Sequence, residues 1–210
     1  MKSSSDSVVY VVDDDESMLN EIRLLVESAP FQFRGYRIAE AFLADYEPNR
    51  PGCVIANTQL PGMSGLEFQE KLRAMGAPMP VVFIAKQASV AVATTAMRSG
   101  AFDFFELPLN RRALLDRIRQ AIEHDAVACE GRKCIEQAKN MLARLTPRER
   151  VVLNPLALGR QSKTIAAELH VSEKTVDAHR LHIRKKLEAR TVADVVRLKI
   201  LASELGDAPV

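Results

Sequence analysis

Short apolar runs alternate with helical patterns along the first 110 residues. Blocks rich in Val and Ile are typical of strands buried on both faces of a sheet. Apolar residues at helical spacing lie between these blocks, as in Met18, Ile22, Leu25 and Val26, or in Leu66, Phe68, Leu72 and Met75. The pattern predicts an α/β domain with a doubly wound parallel sheet of (βα)₅ order. Its five predicted strands are 8–12, 31–36, 53–56, 81–85 and 101–105.

A helical pattern then continues through residues 109–145. Apolar positions such as Leu114 and Ile118 are followed by a more polar stretch, 125–132, before the spacing resumes at Ile135. Gly131 weakens a helix by about 1 kcal/mol relative to Ala, which is too little to end it. We expect the last helix of the α/β domain to run into a helical linker. A simple spacer and a coiled-coil dimer both agree with this pattern.

The remaining residues predict an all-α domain of four helices. Thr146, Pro147 and Glu149 form a capping box with Pro at the first helical position, so the first helix begins there. Gly159 can end this helix, and Pro155 should kink or shorten it. A second helix is predicted over about 162–169.

A third helix is predicted after the short turn "HVS", with Ser172 as its N-cap. Its apolar positions Val176, Ile183 and Leu187 share one face. Thr191 and Asp194 have the spacing of a second capping box, which begins a fourth helix over about 192–201. The short turn between the second and third helices is typical of a helix-turn-helix.

Charge and aromatic content divide the chain in the same way. Residues 1–124 carry 13 Lys and Arg against 16 Asp and Glu, a net charge of −3, whereas residues 125–210 carry 16 against 11, or +5. Every Phe and Tyr lies between Tyr10 and Phe105. These contrasts predict a first domain over 1–124, a linker over 125–143 and a second domain over 144–210. The basic second half favours a polyanionic partner.

Composition also excludes several classes of protein. No run approaches 18 apolar residues, and the N-terminus "MKSSSDS" lacks the apolar stretch of a signal peptide, so we expect a soluble, cytoplasmic protein. Cys53, Cys129 and Cys134 are an odd number without CxxC spacing. Three reduced thiols are therefore favoured over a metal or redox site, and Cys53 is expected in the core.

The ends of the predicted strands carry the candidate chemistry, since ligands of open α/β sheets bind there. Asp13 and Asp14 follow the first strand, Asn57 ends the third, Ala85 ends the fourth, and Leu107 precedes Pro108 after the fifth. Together with "VVDDDES", "LPGMSG" and "AMRSGAFDFF", these positions make residues 6–124 resemble the receiver domain of bacterial response regulators. The resemblance implies a Mg²⁺-binding acidic pair and, on strand three, a phosphate-accepting Asp. It also implies a Thr or Ser on strand four and a Lys before the Pro.

This sequence keeps only the acidic pair of that set. Asn57 stands at the phosphoacceptor position, Ala85 at the hydroxyl position and Leu107 at the Lys position. An amide does not form an acyl phosphate, and the two other replacements remove contacts to a phosphoryl oxygen. The sequence therefore predicts a degenerate receiver that acts without phosphorylation, with no cofactor beyond weak residual Mg²⁺ binding at Asp13 and Asp14.

Alternatives remain at this site. Asn57 could simply cap a turn while Ser64 or Asp15 accepts the phosphate, although Ala85 and Leu107 leave an apolar pocket around a dianion. Asp13 and Asp14 could bind a cation or only cap the following helix, where acidic residues are favoured in any case.

The third helix of the second domain carries the candidate DNA contacts. Residues 144–187 contain 10 Lys and Arg against 4 acidic residues, and such a surface binds phosphates. The stretch "GRQSKTIAAELHVSEKTVDAHRLHIRKKLEARTVADVV" resembles the LuxR-type helix-turn-helix of NarL/FixJ response regulators. The resemblance implies that this helix enters the major groove and that the fourth contributes to dimerisation. The expected DNA-facing residues are Lys174, Asp177, Ala178, Leu181, Arg184 and Lys185, with Thr175, His179 and Arg180 beside them.

Three residues depart from the family pattern, and one of them is Pro155 within the first helix. Asp177 stands where most members carry Lys, and an acidic group near phosphate lowers affinity unless it accepts from a cytosine amino group. His170 replaces the Gly that is usual at the turn, which is strained if φ is positive.

We interpret the chain as a DNA-binding transcription regulator, not an enzyme, controlled through homodimerisation, a protein partner, a sensor kinase or a small ligand. The competing hypotheses are a phosphorylated regulator with a displaced acceptor and an interaction protein that does not bind DNA, in which Asp177 and Pro155 would disable DNA recognition. A basic solvated helix without a DNA role belongs to the second of these.

Overall fold

The structure is a computed structural model that describes residues 7–76, 79–87 and 89–203. Residues 1–6, which include most of the N-terminal "MKSSSDS", and residues 77–78, 88 and 204–210 lie outside these ranges. Contacts divide the chain into two compact units, Met1–Glu130 and Gly131–Val210. None of the helices in the described ranges is both long and apolar enough to cross a membrane.

The first unit contains a parallel sheet in the order β2-β1-β3-β4-β5. Its strands are β1 (Val8–Val12), β2 (Gln32–Tyr36), β3 (Gly52–Asn57), β4 (Val81–Ala85) and β5 (Asp103–Glu106). Its helices are α1 (Glu16–Glu27), α2 (Ala39–Asp45), α3 (Gly65–Ala74), α4 (Val90–Arg98) and the beginning of α5 (Arg111–Ala143). The predicted doubly wound α/β fold is thus confirmed.

Two apolar layers cover the sheet because successive side chains of a strand point to opposite faces. Tyr10 of β1 belongs to an aromatic layer with Phe42 and Phe68, whose rings lie 5.1–5.4 Å apart in edge-on contacts. Val9 and Val11 face the opposite layer, which includes buried residues of α1 and α5. The prediction that Met75 shares the apolar face of Phe68 and Leu72 is wrong. Met75 is the C-cap of α3 and is 54% exposed.

Strand register brings four strand ends to one edge of the sheet. Val12 pairs with Ala56, Asn57 with Ile84, and Ala85 with Glu106. The loops that follow β1, β3, β4 and β5 therefore lie side by side. Gly65 permits the close packing of this edge, since a Cβ atom there would lie 2.6 Å from the backbone oxygen of Asn57.

The helix α5 is continuous through Gly131, as the small cost of one glycine suggested. Asp125, in the stretch that interrupts the apolar pattern, is completely buried within the first unit. Its Oδ2 accepts a hydrogen bond of 2.9 Å from the backbone N–H of Gly52, the first residue of β3. Asp125 is therefore a polar residue of the core, where its carboxylate accepts a hydrogen bond from the first backbone N–H of β3. Cys53 is also fully buried, as expected.

The second unit contains the end of α5 and four helices: α6 (Pro147–Ala157), α7 (Ser162–Leu169), α8 (Glu173–Lys186) and α9 (Val192–Ser203). The capping boxes of Thr146 with Glu149 and of Thr191 with Asp194 are both formed. Ile165, Val176 and Ile183 are fully buried in one core. This confirms the predicted four-helix domain.

Pro155 lies within α6 and does not break it, because the helix ends only two residues later, at Ala157. The backbone oxygen of Pro155 accepts from Arg160 N, and Gly159 has a φ of +77° just beyond the helix end. A proline in the last turn removes only one hydrogen bond near a helix terminus, so its effect there is small.

Candidate functional site

The acidic edge of the sheet is organised around Asp13, which is only 3% exposed. Its Oδ1 accepts hydrogen bonds from the backbone N–H of Asp15 at 2.9 Å and from Nδ2 of Asn57 at 3.3 Å. Burial raises the pKa of the Asp13 carboxyl above its usual value, and these two hydrogen bonds oppose the rise. Asp14, in contrast, is exposed.

Asn57 at the end of β3 uses both ends of its amide within the protein. Its Nδ2 donates to Asp13, and its Oδ1 accepts from the backbone N–H of Gln59 at 3.0 Å. An Asn that receives a hydrogen bond from the second following residue stabilises the turn after the strand. The residue at the phosphoacceptor position therefore acts as a turn-forming amide in this structure.

Ala85 and Leu107 make the neighbouring strand ends apolar. Ala85 is 2% exposed, and its backbone oxygen accepts from Leu107 N at 3.0 Å. Leu107 is half-buried against the layer that contains Ile84 and Ile118. Neither side chain offers a hydrogen bond or a charge to an anion at this edge.

The N-cap of α1 is Asp15, not Asp13 or Asp14 as one sequence alternative held. Its Oδ1 accepts from the N–H of Ser17 at 3.0 Å. The other carboxylate oxygen lies 3.1 Å from Nζ of Lys86, which follows β4 directly. The hydrogen bond between the two side chains lowers the pKa of Asp15 and raises the pKa of Lys86.

Lys86 is a charged residue of this edge that the sequence analysis missed. It stands one position after Ala85 at the end of β4, whereas the resemblance placed a Lys after β5, and its ammonium group contacts Asp15. The signal in the sequence was weak, because a lysine after a buried strand is commonly a solvated residue.

With Lys86 paired to Asp15, the residues at this edge do not form a complete Mg²⁺ site, and only the weak binding typical of exposed carboxylates is expected. Asn57 turns its N–H group toward Asp13, and its oxygen is taken by Gln59 N. Lys86 already brings a positive charge to Asp15. In the part of the chain that the structure describes, no three His, Cys, Asp or Glu side chains are grouped so that they could hold a metal ion. Magnesium needs near-octahedral oxygen ligands, which this arrangement does not offer.

Ser64, the displaced acceptor considered from the sequence, caps α3. Its Oγ accepts from Glu67 N at 3.2 Å and donates to Glu67 Oε2 at 2.8 Å. The hydroxyl is thus engaged in a complete capping box. Asp15, the other candidate, is engaged by the α1 cap and Lys86.

The exposed face of α8 carries the predicted DNA-facing residues. The buried positions Val176, Ile183 and Leu187 define its inner face. Leu181 is 61% exposed on the opposite side. The other exposed residues of the set are Lys174, Thr175, Asp177, Ala178, Arg184 and Lys185, and His179 and Arg180 are half-buried.

Both ends of α8 are fixed by polar contacts. At its beginning, the N-cap hydroxyl of Ser172 accepts from Thr175 N at 3.1 Å and lies 2.7 Å from the Thr175 hydroxyl. At its end, Nζ of Lys186 donates to Glu149 Oε2 of α6 at 2.8 Å. Burial alone would raise the pKa of Glu149, but the bonds from Lys186 and Thr146 lower it to about 2.

His170 supplies the turn between α7 and α8 with a left-handed residue. Its φ is 52° and its ψ is 44°. The positive φ means that this non-glycine residue is strained, as the sequence analysis anticipated for that case. The turn lets Val171 N bond to Ala166 O at 3.1 Å and closes α7 directly before the N-cap of α8. This is the short connection that a helix-turn-helix requires.

Comparison with protein families gives two matches in the order expected from the fold. Residues 9–119 match the family described as "Response regulator receiver domain". Residues 143–199 match the family described as "Bacterial regulatory proteins, luxR family".

Known proteins are similar to the chain over nearly its whole length. It is 36% identical to the response regulator protein TmoT of Ectopseudomonas mendocina, covering 93% of this chain and 89% of the relative. It is 32% identical to the transcriptional regulatory protein FixJ of Bradyrhizobium diazoefficiens, covering 95% and 97%. A low-resolution structure of the response regulator StyR matches with a TM-score of 0.80 at 36% identity, covering 93% of this chain and 98% of that one.

Proposed function

The chain belongs to the NarL/FixJ family of DNA-binding response regulators, and we propose that its receiver domain controls DNA binding without being phosphorylated. On this proposal residues 1–124 are the regulatory part, 125–143 the linker and 144–210 the DNA-binding part. The protein is a regulator and not an enzyme, and it acts in the cytoplasm, where its DNA is.

The observation that carries the proposal is the loss of phosphoryl ligands at the strand ends. Asn57 cannot form an acyl phosphate, and its amide is already bonded to Asp13 and Gln59. Ala85 and Leu107 provide apolar surface where the resemblance implied a hydroxyl and an ammonium group. A dianion at this edge would be desolvated without compensating hydrogen bonds, which is costly.

The two displaced acceptors considered above receive no support from their surroundings. Ser64 is engaged by Glu67, and Asp15 is engaged by Ser17 and Lys86. A phosphoryl group on either residue would break a helix cap, with a typical loss of about 1 kcal/mol in addition to the cost of the charge.

We assign DNA contact to the exposed face of α8. The cationic side chains of Lys174, Arg184 and Lys185 are exposed there, and none of them has a carboxylate partner within the described residues. Unpaired cations can bind phosphates without first losing another interaction. The short side chains of Thr175 and Ala178 and the apolar Leu181 allow close approach to base edges, including thymine methyl groups. Asp177, His179 and Arg180 complete the proposed surface.

We propose that the active form is a homodimer formed through α9. An apolar groove of about 490 Å³ lies along α9 beside the end of α6. Ile200, which lines it, is 51% exposed. In a symmetric dimer, the same surface of a second copy of the chain would cover this groove. The dimer would then present two α8 helices to two DNA half-sites.

Regulation then requires a stabilising interaction other than phosphate. A two-state receiver responds only to a ligand that binds its two states with different affinity. This difference in affinity can come from a small ligand or from a protein partner. The partner can still be a sensor kinase that binds the receiver without phosphorylating it. Constitutive dimerisation would instead leave the DNA-binding form permanently populated.

The experiment that tests the proposal is a DNA titration with and without a phosphoryl donor. Full-length protein is titrated against genomic fragments across a range of salt, alone and after incubation with acetyl phosphate and Mg²⁺. We expect affinity that falls steeply with salt and is identical under both conditions. Asn57→Asp is the matched variant, and we expect its genome-wide occupancy in cells to equal that of the unchanged protein.

Two outcomes would favour the competing hypotheses. Tighter binding after acetyl phosphate treatment of the unchanged protein would mean that a displaced acceptor operates. The absence of salt-dependent binding to any fragment would mean that the chain is an interaction protein rather than a DNA-binding regulator.

A further inference from the structure

A chain of three side chains joins the first residue of α7 to α8. Ser162 Oγ donates a hydrogen bond of 2.6 Å to Oδ1 of Asp177, and it accepts one of 2.6 Å from Nη1 of Arg180. Ser162 is only 8% exposed, so this hydroxyl is held between two elements and has little access to water. Its single proton and one lone pair are both used.

The arrangement changes the interpretation of Asp177. The sequence alone offers two roles for this acidic residue, repulsion of a phosphate or acceptance from a cytosine. In the structure one carboxylate oxygen is instead committed to Ser162. By accepting the hydrogen bond from Ser162, the Asp177 carboxylate fixes the orientation of the hydroxyl group. A lone pair of Ser162 Oγ then points toward Arg180 and accepts its N–H.

Arg180 depends on this chain for its position. Ser162 is its one hydrogen-bond partner among the described residues. Guanidinium has five N–H donors, of which Ser162 occupies one, so the others remain free for an anion. An arginine that is already held in one rotamer loses less conformational entropy when it binds phosphate.

We propose that Asp177 is a positioning residue, which holds Arg180 through Ser162 so that the guanidinium binds a DNA backbone phosphate beside the α8 surface. The inference rests on the proposed role of α8 in DNA contact. It gives the acidic residue in a basic helix a stabilising role in binding, in place of the repulsive role suggested by its charge.

The test compares Asp177→Ala with Asp177→Asn. Asn retains an oxygen that can accept from Ser162, whereas Ala removes it, and both remove the negative charge. Binding of the full-length variants to a labelled duplex of arbitrary sequence is measured across salt, with thermal melting as a check of folding. We expect Asp177→Ala to bind about three- to tenfold more weakly and to lower the salt slope by about 0.9, the value for one phosphate contact.

Three further variants complete the comparison. Ser162→Ala and Arg180→Ala should reproduce the lower salt slope, and adding Asp177→Ala to Arg180→Ala should cause no further loss. Asp177→Asn should bind at least as tightly as the unchanged protein. Glu173→Ala removes another exposed carboxylate from α8 and should not weaken binding.

Repulsion and positioning predict opposite results. If Asp177→Ala and Asp177→Asn both bind more tightly with a steeper salt slope, Asp177 only repels DNA and the inference is wrong. Arg184→Ala separates this failure from that of the proposed function. Unchanged binding in Arg184→Ala and Arg180→Ala together would contradict the DNA-contact role of α8 itself, and with it the inference.

Discussion

Single residues at the sheet edge are engaged in contacts within the protein. The ammonium group of Lys86 lies 3.1 Å from Asp15, and Asn57 donates to Asp13. The losses at positions 57, 85 and 107 could be predicted from the sequence because each concerns the chemistry of one side chain. The ion pair of Lys86 could not, since its partner is 71 residues away and only the register of the sheet brings the two together.

Removal of Lys86 should increase the affinity of the acidic edge for cations. We expect Lys86→Ala to raise Mg²⁺ affinity by about three- to tenfold, the size expected when one nearby charge is removed at an exposed site. Isothermal titration calorimetry measures the change. Lys71→Ala, which removes an exposed lysine of α3, should have no effect. Equal Mg²⁺ affinity in both variants would show that the positive charge of Lys86 does not offset the negative charge of the acidic residues.

Glu149 should stabilise the second domain in a pH-dependent way. Its folded pKa of about 2 lies below the usual value of 4.5, so its contribution is complete above about pH 4.5 and is lost as pH falls toward 2. We expect Glu149→Gln to lower the free energy of unfolding by about 1–2 kcal/mol at pH 7, since water partly reaches Lys186. Urea unfolding followed by circular dichroism should show this difference shrinking below pH 4.

The control is Glu168→Gln, which removes a carboxylate from an exposed ion pair with Arg160. Exposed ion pairs contribute little, so we expect a change below about 0.5 kcal/mol. A Glu149→Gln difference that stays constant from pH 7 to pH 3 would contradict the assigned pKa.

Elements were predicted more completely than the contacts between them. Periodicity and capping residues identified α7 and α8 because both signals are local in the chain. The buried Asp125 and the link from Ser162 to Asp177 were missed, since each joins separate elements by a polar contact that periodicity cannot report. The strand that binds Asp125 begins 73 residues earlier.

The turn between α7 and α8 can be tested through His170. With a φ of 52°, this residue is in a conformation that glycine adopts without strain. We expect His170→Gly to raise the free energy of unfolding by about 0.5–1 kcal/mol. His182→Gly, in the middle of α8, should lower it by about 0.3–0.5 kcal/mol. Chemical denaturation of the full chain measures both, and destabilisation by His170→Gly would contradict the left-handed turn.

At the scale of the whole molecule, an acidic domain is joined to a basic domain. The boundary near residue 130 falls within the continuous helix α5. Charge and aromatic content indicated two domains because composition differs between them. They could not indicate what selects the active form, since dimerisation and partner binding depend on surfaces that composition does not describe.

The proposed dimer surface can be tested by a charge at Ile200. We expect Ile200→Glu to weaken self-association at least about tenfold, because a carboxylate would be buried against an apolar groove. Analytical ultracentrifugation gives the dissociation constant. Leu24→Glu alters another exposed apolar residue, on α1, and should leave association unchanged. If neither substitution, or both equally, alters the dissociation constant, α9 is not the dimer surface.

The central claim is that this receiver holds no phosphoryl group, and the intact mass of the protein tests it most directly. Full-length protein is incubated with acetyl phosphate and Mg²⁺, and its mass spectrum is recorded at once. We predict the unmodified mass, because Asn57, Ala85 and Leu107 offer neither an acceptor nor a stabilising contact. A stable adduct of one phosphoryl group on an aspartate, accompanied by a change in oligomeric state, would contradict the account.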